Sequence, residues 1–145
     1  MNAPLHQIAY TSRRSPDVDD TQVVDDIALP SYRRNRILEI TGCLWFDNEY
    51  FVQFIEGPPG IVTELYDKIL NDSRHRDVRQ LVDRSITDRY FARFALRVVR
   101  DNELDPVRKL IDMTFNSDSH NELTDDMLVQ IVSMTDAAMN RLMQA

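Results

Sequence analysis

A single amide interrupts the most strand-like stretch of the chain, which runs from Tyr50 to Gly57. The stretch reads Tyr-Phe-Val-Gln-Phe-Ile-Glu-Gly, and its aromatic and β-branched side chains are typical of a β-strand. Because side chains alternate between the two faces of a strand, Gln53 shares its face with Phe51 and Ile55. A buried amide without hydrogen-bond partners costs roughly 1–3 kcal/mol. We therefore expect a polar partner above that face, either another side chain or a ligand.

Composition and charge narrow the kind of protein. The chain has 145 residues, the usual length of one domain, and a hydrophobic fraction of 43%, enough for a core. Its net charge of -7 argues against non-specific binding to nucleic acid or to an anionic membrane. The one cysteine, Cys43, excludes an internal disulfide and fits a reducing cytoplasm, so we expect a cytoplasmic protein. We expect neither a secretory signal nor a run of the roughly 18 apolar residues that spans a bilayer.

Hydrophobic periodicity predicts strands interleaved with helices. Strands are predicted over 5–11, 40–46, 50–56, 78–86 and 92–99, with one helix from Asp19 and another over 62–69. This order predicts an α+β fold, namely a ferredoxin-like five-stranded sheet with two helices on one face. Pro30 is expected to end or kink the first helix, because it has no N–H and disfavours helix at the residue before it.

The last third of the chain is predicted to be helical. Thr124 is a suitable N-cap for a long helix. An apolar stripe on this helix is expected to pack on the open face of the sheet, and it comprises Met127, Ile131 and Met134. The far end, from Met139 to Met143, is a candidate for a dimer or partner contact. We therefore divide the chain into a domain over 1–100 and a C-terminal helical extension over 101–145.

The residue types that carry most enzyme chemistry are not arranged for it. There are three glycines and no Gly-rich phosphate loop. Cys43 lies within an apolar strand, which favours an inert buried thiol, and the histidines lack metal-ligand spacing. We expect neither an enzyme nor a metal site. One enzymatic alternative is a small ferredoxin-like acylphosphatase that uses Arg74 and Asn35 on a phosphate, although the missing phosphate loop argues against it.

Several motifs gain meaning from their joint occurrence. In chain order they are Tyr10-Thr-Ser12, Asn35 with Ile40-Thr-Gly42, the strand with Gln53, Leu65-Tyr66 and Asp72-Ser-Arg-His75. Together they resemble the BLUF domain, a blue-light sensor that uses FAD, from about residue 5 to residue 99. The chain is most similar to the short members of that family. Residues 1–100 would then be the flavin-binding sensor domain, and 101–145 its helical extension.

The resemblance implies a role for each polar residue. Tyr10 would donate an electron and a proton to the excited flavin. Gln53 would bridge Tyr10 and the flavin N5/O4 edge, because an amide has both a donor and an acceptor. Asn35 would hold the O4/N3 edge. The C2 side of the ring and the ribityl-phosphate exit would be lined by Asp72, Arg74 and His75.

The chain also departs from the family pattern. Members often have Trp-x-Met in the last strand, where this chain has the signal-relay positions Phe94 and Leu96. Phenylalanine has no N–H to donate and leucine has no thioether, so the Trp/Met exchange proposed for the family cannot operate in the same way. Many members also have Asn where this chain has Arg34.

These features lead to two alternatives. The first is a blue-light photoreceptor that binds FAD and signals, by a Tyr–Gln–flavin hydrogen-bond rearrangement, through contact with a downstream signalling protein. It would be a homo-oligomer without a nucleic-acid or membrane partner. The second is a photochemically impaired ferredoxin-like module for protein–protein interaction, which the residues at positions 94 and 96 motivate.

Overall fold

Five strands form one mixed sheet in a computed structural model of the protein. The strands are β1 (Leu5–Arg14), β2 (Thr41–Phe46), β3 (Tyr50–Gly57), β4 (His75–Ile86) and β5 (Arg97–Arg100). Their order across the sheet is β4-β1-β3-β2-β5. Neighbouring strands are antiparallel, except for the parallel pair β2 and β5. The structure describes residues 3–92, 95–100, 105–115 and 123–144, with the side chains of the last helix as far as 137.

The helices follow the predicted order. Between β1 and β2 the chain passes through α1 (Asp20–Gln22), a π-helical segment (Val23–Ala28) and α2 (Leu29–Leu38). Helix α3 (Pro59–Leu70) joins β3 to β4, and α4 (Asp105–Phe115) and α5 (Asp125–Gln144) follow the sheet. The ferredoxin-like sheet with an additional strand and C-terminal helices is thereby confirmed. None of the helices that the structure describes is both long and apolar enough to cross a membrane.

The first helix continues through Pro30, which was expected either to end or to kink it. In a regular α-helix its ring would clash with the carbonyl of Asp26, four residues earlier. The π-helical segment before it widens the backbone, and the Leu29 N–H bonds to the Val24 carbonyl, five residues back. The helix then continues as α2 and ends at Glu39, which has a left-handed φ of 58°. The basic stretch over 32–36 is consequently helical.

The face of the sheet that carries Gln53 packs against the π-helical segment and α3. Ile8 and Ile55 contact Val62 and Leu65 of α3 in one apolar cluster. A second cluster joins strands β2 and β3 to the π-helical segment through Leu44, Phe51, Val23 and Ala28. The sheet face predicted to hold Gln53, Phe51 and Ile55 is thus the helix-covered one.

The opposite face is covered by the C-terminal helices. Its cluster joins the sheet to α4 and α5 through Trp45, Phe54, Leu110, Leu128 and Ile131. Met127 packs against the same cluster, which confirms the predicted docking of the stripe on the open face. Cys43 belongs to the cluster too, and burial raises the pKa of its thiol, as an inert role requires. The side chains of Met139 and Met143 lie outside the described residues.

Three polar contacts between described residues join α5 to the sheet, and one of them is the exposed ion pair of Arg84 in β4 with Asp125, 3.1 Å between Nη1 and Oδ1. Trp45 Nε1 of β2 donates to Thr135 Oγ1 over 2.9 Å, and both side chains are buried. Arg97 of β5 forms an ion pair with Asp136, with 3.1 Å between Nη2 and Oδ1. The contacts of Trp45 and Arg97 reach neighbouring residues of α5, so β2 and β5 are both joined to the same turn of that helix.

The last strand is shorter than predicted. Of the described residues over 92–99, only Arg97 to Val99 belong to β5. The preceding chain uses side chains as hydrogen-bond partners instead of a neighbouring strand. The Tyr90 and Phe91 N–H groups donate to the buried Glu56 carboxylate over 3.1 and 2.6 Å. The Ala95 carbonyl accepts from Asn35 Nδ2 of α2. Phe94 lies outside the described residues.

Gly42 provides a test of the close approach between β2 and β3. A Cβ at Gly42 would overlap the backbone oxygen of Phe54, and a strand backbone cannot easily move aside. We expect Gly42→Ala to lower the free energy of unfolding by about 3 kcal/mol, measured by urea denaturation.

Gly60 in α3 is the matched control, because nothing lies within 4 Å of a Cβ built there. Gly60→Ala should leave stability unchanged or raise it by up to about 1 kcal/mol. Equal denaturation midpoints for the two variants would contradict the strand pairing described here.

Candidate functional site

A cleft opens on the helix-covered face, between the first helical region and the start of β4. The space between its surrounding atoms is about 490 Å³, which includes open solvent, and its cavity volume is about 70 Å³. Its floor consists of strand residues, namely Tyr10, Leu44, Phe51 and Gln53. Its walls come from the helices and from the turn before β4, and comprise Ile27, Ser31, Arg34, Ile69, Asp72, Arg74 and His75.

The floor of the cleft contains the polar partner expected for Gln53. Tyr10 and Gln53 are directly opposed on the antiparallel strands β1 and β3, so their side chains emerge side by side on one face. The Tyr10 hydroxyl donates to Gln53 Oε1, and both side chains are buried. Within the described part of the chain the amide N–H groups of Gln53 have no partner. The amide is therefore satisfied on its acceptor side and available on its donor side.

Tyr10 is held as a protonated phenol. Burial raises its pKa, Tyr66 and Asp72 raise it further, and only Arg34 lowers it. The ring lies 6.0 Å from the Tyr66 ring and 5.8 Å, edge on, from the His75 ring, centroid to centroid. These contacts fix the phenol in one orientation, with its proton directed at Gln53.

Asp72 and Arg74 form a charged rim that is tied to the first helix. Their side chains pair over 2.5 Å between Arg74 Nη2 and Asp72 Oδ2. The hydrogen bonds from Arg74 hold the pKa of Asp72 below its ordinary value. Arg74 Nη1 also donates to the Asp26 carbonyl over 2.7 Å. Asp26 lies four residues before Pro30, which has no N–H to offer that carbonyl, and Arg74 supplies a donor instead.

His75 joins three elements next to the cleft. Its Nε2 lies 2.7 Å from the Ile69 carbonyl at the end of α3, and its Nδ1 lies 2.8 Å from the Ser12 hydroxyl of β1. A carbonyl oxygen can only accept, so in the neutral ring the proton is on Nε2 and Nδ1 accepts from Ser12. His75 thus contributes a fixed ring to the wall, with both nitrogens engaged.

Asn35 does not line this cleft. It is buried in α2, where its Nδ2 donates to the Ala95 carbonyl over 3.0 Å and its Oδ1 accepts from Arg34 Nη2 over 3.2 Å. It borders a separate, more open pocket with Thr41 and Arg89. The cleft therefore brings together five of the six predicted cofactor-binding residues. Asn35 lies outside the cleft, next to the wall residue Arg34. Because Asn35 and Arg74 line different pockets, they are not arranged to share one phosphate.

Sequence reasoning missed the helical wall of the cleft. Ile27, Ser31 and Arg34 are spaced i, i+4 and i+7, which places them on one face of a helix. The signal was present in the sequence, but the expectation that Pro30 would end or kink the helix concealed it. Of the two predicted relay positions, Leu96 is buried beside Leu44 and Phe51 in the cluster next to the cleft, whereas position 94 is not described.

The chain matches known light sensors in sequence and in fold. The family described as "BLUF: Sensors of blue-light using FAD" matches residues 5–97. Photoactivated adenylate cyclase subunit alpha of Euglena gracilis is 41% identical over 61 residues, which are 42% of this chain and 6% of that protein. The chain spans only about 5% to 19% of the lengths of the curated relatives it matches.

Two solved structures are similar over almost their whole length. "BlrB - a BLUF protein, dark state structure" has a TM-score of 0.74 at 28% identity, covering 92% of this chain and 99% of that one. "BlsA photo-activated state" has a TM-score of 0.71 at 25% identity, covering 90% and 94%. The chain therefore belongs to the BLUF family of flavin-binding blue-light sensors.

The residues of the cleft suit a flavin on chemical grounds. A flavin ring is planar and carries carbonyl oxygens that accept hydrogen bonds. The cleft offers a donor that has no partner among the described residues, the amide group of Gln53. The apolar side chains of Leu44, Phe51 and Ile27 provide surfaces for the ring.

The Asp72–Arg74 pair predicts a specific dependence of stability on pH. Because the pKa of Asp72 is lowered in the folded protein, its contribution to stability is complete at pH values above its ordinary pKa of 3.8. This contribution is lost as pH falls through the pKa of Asp72 in the folded protein. We expect Asp72→Asn to lower the free energy of unfolding at pH 7 by about 1 kcal/mol. The difference in the free energy of unfolding between Asp72→Asn and the parent should shrink as pH falls below about 4. Denaturation curves of both proteins at each pH measure this difference.

Asp17→Asn is the control, because Asp17 is an exposed aspartate that takes part in no ion pair of the described chain. It should match the parent throughout this range. A constant difference between Asp72→Asn and the parent from pH 7 to pH 3 would contradict the ion pair.

Proposed function

We propose that the protein is a blue-light photoreceptor that binds FAD noncovalently in the cleft and responds to light through Tyr10 and Gln53. One observation carries this proposal, namely the hydrogen bond from the Tyr10 hydroxyl to Gln53 Oε1 in the floor of the cleft. It places an oxidisable phenol next to an amide whose donor side faces the space where a ligand would bind. The membership of the chain in a blue-light sensor family supports the same function.

The residues of the cleft would divide the work of holding FAD. Gln53 would donate to the ring from its amide, and Leu44 and Phe51 would contact the ring surface. Asp72, Arg74 and His75 would hold the ribityl and phosphate part of the ligand. Asn35 lies behind the wall and positions the side chains in front of it, and it reaches the ring edge only if its bond to the Ala95 carbonyl is exchanged.

Light would act on the pair in the floor. Bound FAD would supply the absorption of blue light and, once excited, a one-electron oxidant. Tyr10 would be the residue that gives up an electron, and its hydroxyl proton would pass towards Gln53 Oε1, the atom to which it already donates. Gln53 would then reverse its donor and acceptor sides by rotation or tautomerisation, because a carboxamide has one of each. We expect the exchanged hydrogen bonds of Gln53 to appear as a red shift of the absorption.

The signal would leave the sheet through β2 rather than through a tryptophan in the last strand. Leu44 pairs with Gln53 across the β2–β3 ladder and lines the cleft. The next residue, Trp45, emerges on the other face and holds Thr135 of α5. A shift of β2 at Gln53 therefore moves the anchor of α5. We propose that α5 and the extension over 101–145 contact a downstream signalling protein, in a homo-oligomer whose partner remains to be identified by light-dependent pull-down.

Gln53→Leu tests the photochemical role of the amide. The variant should still bind flavin and be yellow, because the rest of the cleft is unchanged, but blue light should no longer produce a reversible red shift. Absorption spectra before, during and after illumination measure this. Gln130→Leu, at an exposed position of α5, should behave as the parent does.

The same spectra separate the proposal from its alternatives. A yellow parent without a reversible shift would favour the photochemically impaired interaction module. A parent that is colourless from a flavin-sufficient host and cannot be reconstituted with FAD would contradict the photoreceptor altogether. Reconstitution with FMN in parallel measures whether the adenosine part contributes to binding.

Thr135→Val tests the proposed exit of the signal. Valine has the shape of threonine but cannot accept from Trp45 Nε1, so the link between β2 and α5 is lost. We expect light to change amide hydrogen exchange in α5 of the parent and to change it much less in Thr135→Val, although the red shift persists. Ser133→Ala, an exposed position on the same helix, should retain the parent's response. An unaltered response in Thr135→Val would exclude this route.

A further inference from the structure

Exposed apolar side chains concentrate on the outer surface of the first helical region. Six large hydrophobic side chains are exposed among the described residues, and four of them belong to the π-helical segment and α2. Val24, Leu29 and Ile37 are 47%, 44% and 82% exposed. The bond from the Leu29 N–H to the Val24 carbonyl places Val24 one turn before Leu29, and Ile37 follows two turns later. The three side chains form one stripe, on the side of the helix away from the cleft residues Ser31 and Arg34.

Two cations lie in this stripe. Arg33 lies between Leu29 and Ile37 along the helix, and Arg36 directly precedes Ile37. Both arginines are exposed, and neither forms an ion pair with a residue that the structure describes. The Arg36 guanidinium lies 5.8 Å from the centroid of the Tyr32 ring on the same face. A contiguous apolar surface with unpaired charges of one sign is typical of a docking surface for a partner of the opposite charge.

The outer surface of α5 has the complementary character. Its inner face packs on the sheet, which leaves Val129, Ser133 and Ala137 exposed on the outside. Asp126 is exposed one turn before Val129 and forms no ion pair within the described chain. The extension over 101–145 has nine acidic residues against three basic ones. This surface is therefore acidic at its start and lined by small side chains further along.

The two stripes match in spacing and in size. Leu29, Arg33 and Ile37 are four residues apart, as are Val129, Ser133 and Ala137, and rows with this spacing pack into each other between neighbouring helices. In an antiparallel pair, the basic end of α2 lies against the acidic start of α5. The large side chains of α2 then meet the small ones of α5, which leaves room for close approach.

The two surfaces belong to opposite sides of one chain. Helix α2 walls the cleft on one face of the sheet, and α5 packs on the other face. The stripes point away from each other and cannot meet within one molecule, so a second copy has to supply the partner helix. One pair of helices buries less area than a standard interface of about 1,600 Å², so the contact is weak unless it is repeated.

We propose that the outer stripe of α2 in one copy of this chain docks antiparallel on the outer stripe of α5 in a second copy. Each molecule then uses two different surfaces, and repetition of the contact closes a ring if the rotation allows it. The inference goes beyond the proposed function, because it names the surfaces that join the copies and does not require a flavin in the cleft. It also connects the helix that walls the cleft of one copy to the output helix of the next.

Reversal of charge on each surface tests the contact. Arg33→Glu/Arg36→Glu makes the α2 stripe acidic, and Asp126→Lys/Ser133→Lys makes the α5 stripe basic. Sedimentation velocity at a series of concentrations measures the association of the parent, of each variant and of their equimolar mixture. Each variant alone should associate at least about tenfold more weakly than the parent, because like charges then face each other. The mixture should regain the parent's association, since each surface meets an opposite charge on the other variant.

Two further variants separate this contact from a general effect of charge or folding. Arg76→Glu/Arg79→Glu makes the same change of charge at exposed positions of β4 and should associate as the parent does. Ile37→Ser shortens the apolar stripe without a change of charge, at a side chain that is 82% exposed and so does not support the core. It should weaken association, and it decides the contact if a charge variant fails to fold, as judged by circular dichroism.

Four results would separate the inference from its rivals. A parent that stays monomeric at every concentration would overturn it, while a reversible light-induced shift in that same protein would keep the proposed function. Weaker association in one charge variant with none in the other would assign a stripe to pairing with itself and would overturn the inference. A mixture that does not regain association would also contradict it. A colourless protein that associates as described would overturn the proposed function alone.

Discussion

The hydrogen bond between Tyr10 and Gln53 is the interaction on which the functional account depends. It exists because two antiparallel strands oppose these residues in register on one face of the sheet. The surrounding burial keeps the phenol protonated, so Tyr10 is the donor and Gln53 Oε1 the acceptor. That assignment leaves the amide N–H groups of Gln53 for the cleft. A slip of one residue between β1 and β3 would turn one of the partners to the opposite face and abolish the site.

The helical wall of the cleft shows how a local irregularity shapes a binding site. Pro30 cannot bond the Asp26 carbonyl, and Arg74 donates to it from the far side of the cleft. The π-helical segment accommodates the proline and lets the helix continue, so that Arg34 and Asn35 are held on α2. The rim and the wall are therefore connected through one backbone carbonyl. The two sides of the cleft are held together by the same contact that stabilises the proline-containing helix.

Much of this arrangement could be predicted from the sequence. Alternation along 50–57 identified the buried face of Gln53, and helical spacing identified the stripe of α5 that packs on the opposite face. Other features depend on contacts between distant residues. The Glu56 carboxylate accepts from the N–H groups of Tyr90 and Phe91, a contact that no local pattern predicts. The position of Arg34 beside the cleft required knowing that the helix passes through Pro30, whereas local rules for proline allow either an end or a kink.

The side-chain amide of Gln53 gives the most direct test of the central claim. Its ¹⁵N–¹H resonances can be assigned by their absence from the spectrum of Gln53→Leu and followed in the FAD-bound protein in the dark and under blue light. The account predicts that these resonances shift under illumination and return in the dark, because the amide reverses its hydrogen bonds to Tyr10 and the flavin. Resonances that stay unchanged while the absorption spectrum shifts would contradict it.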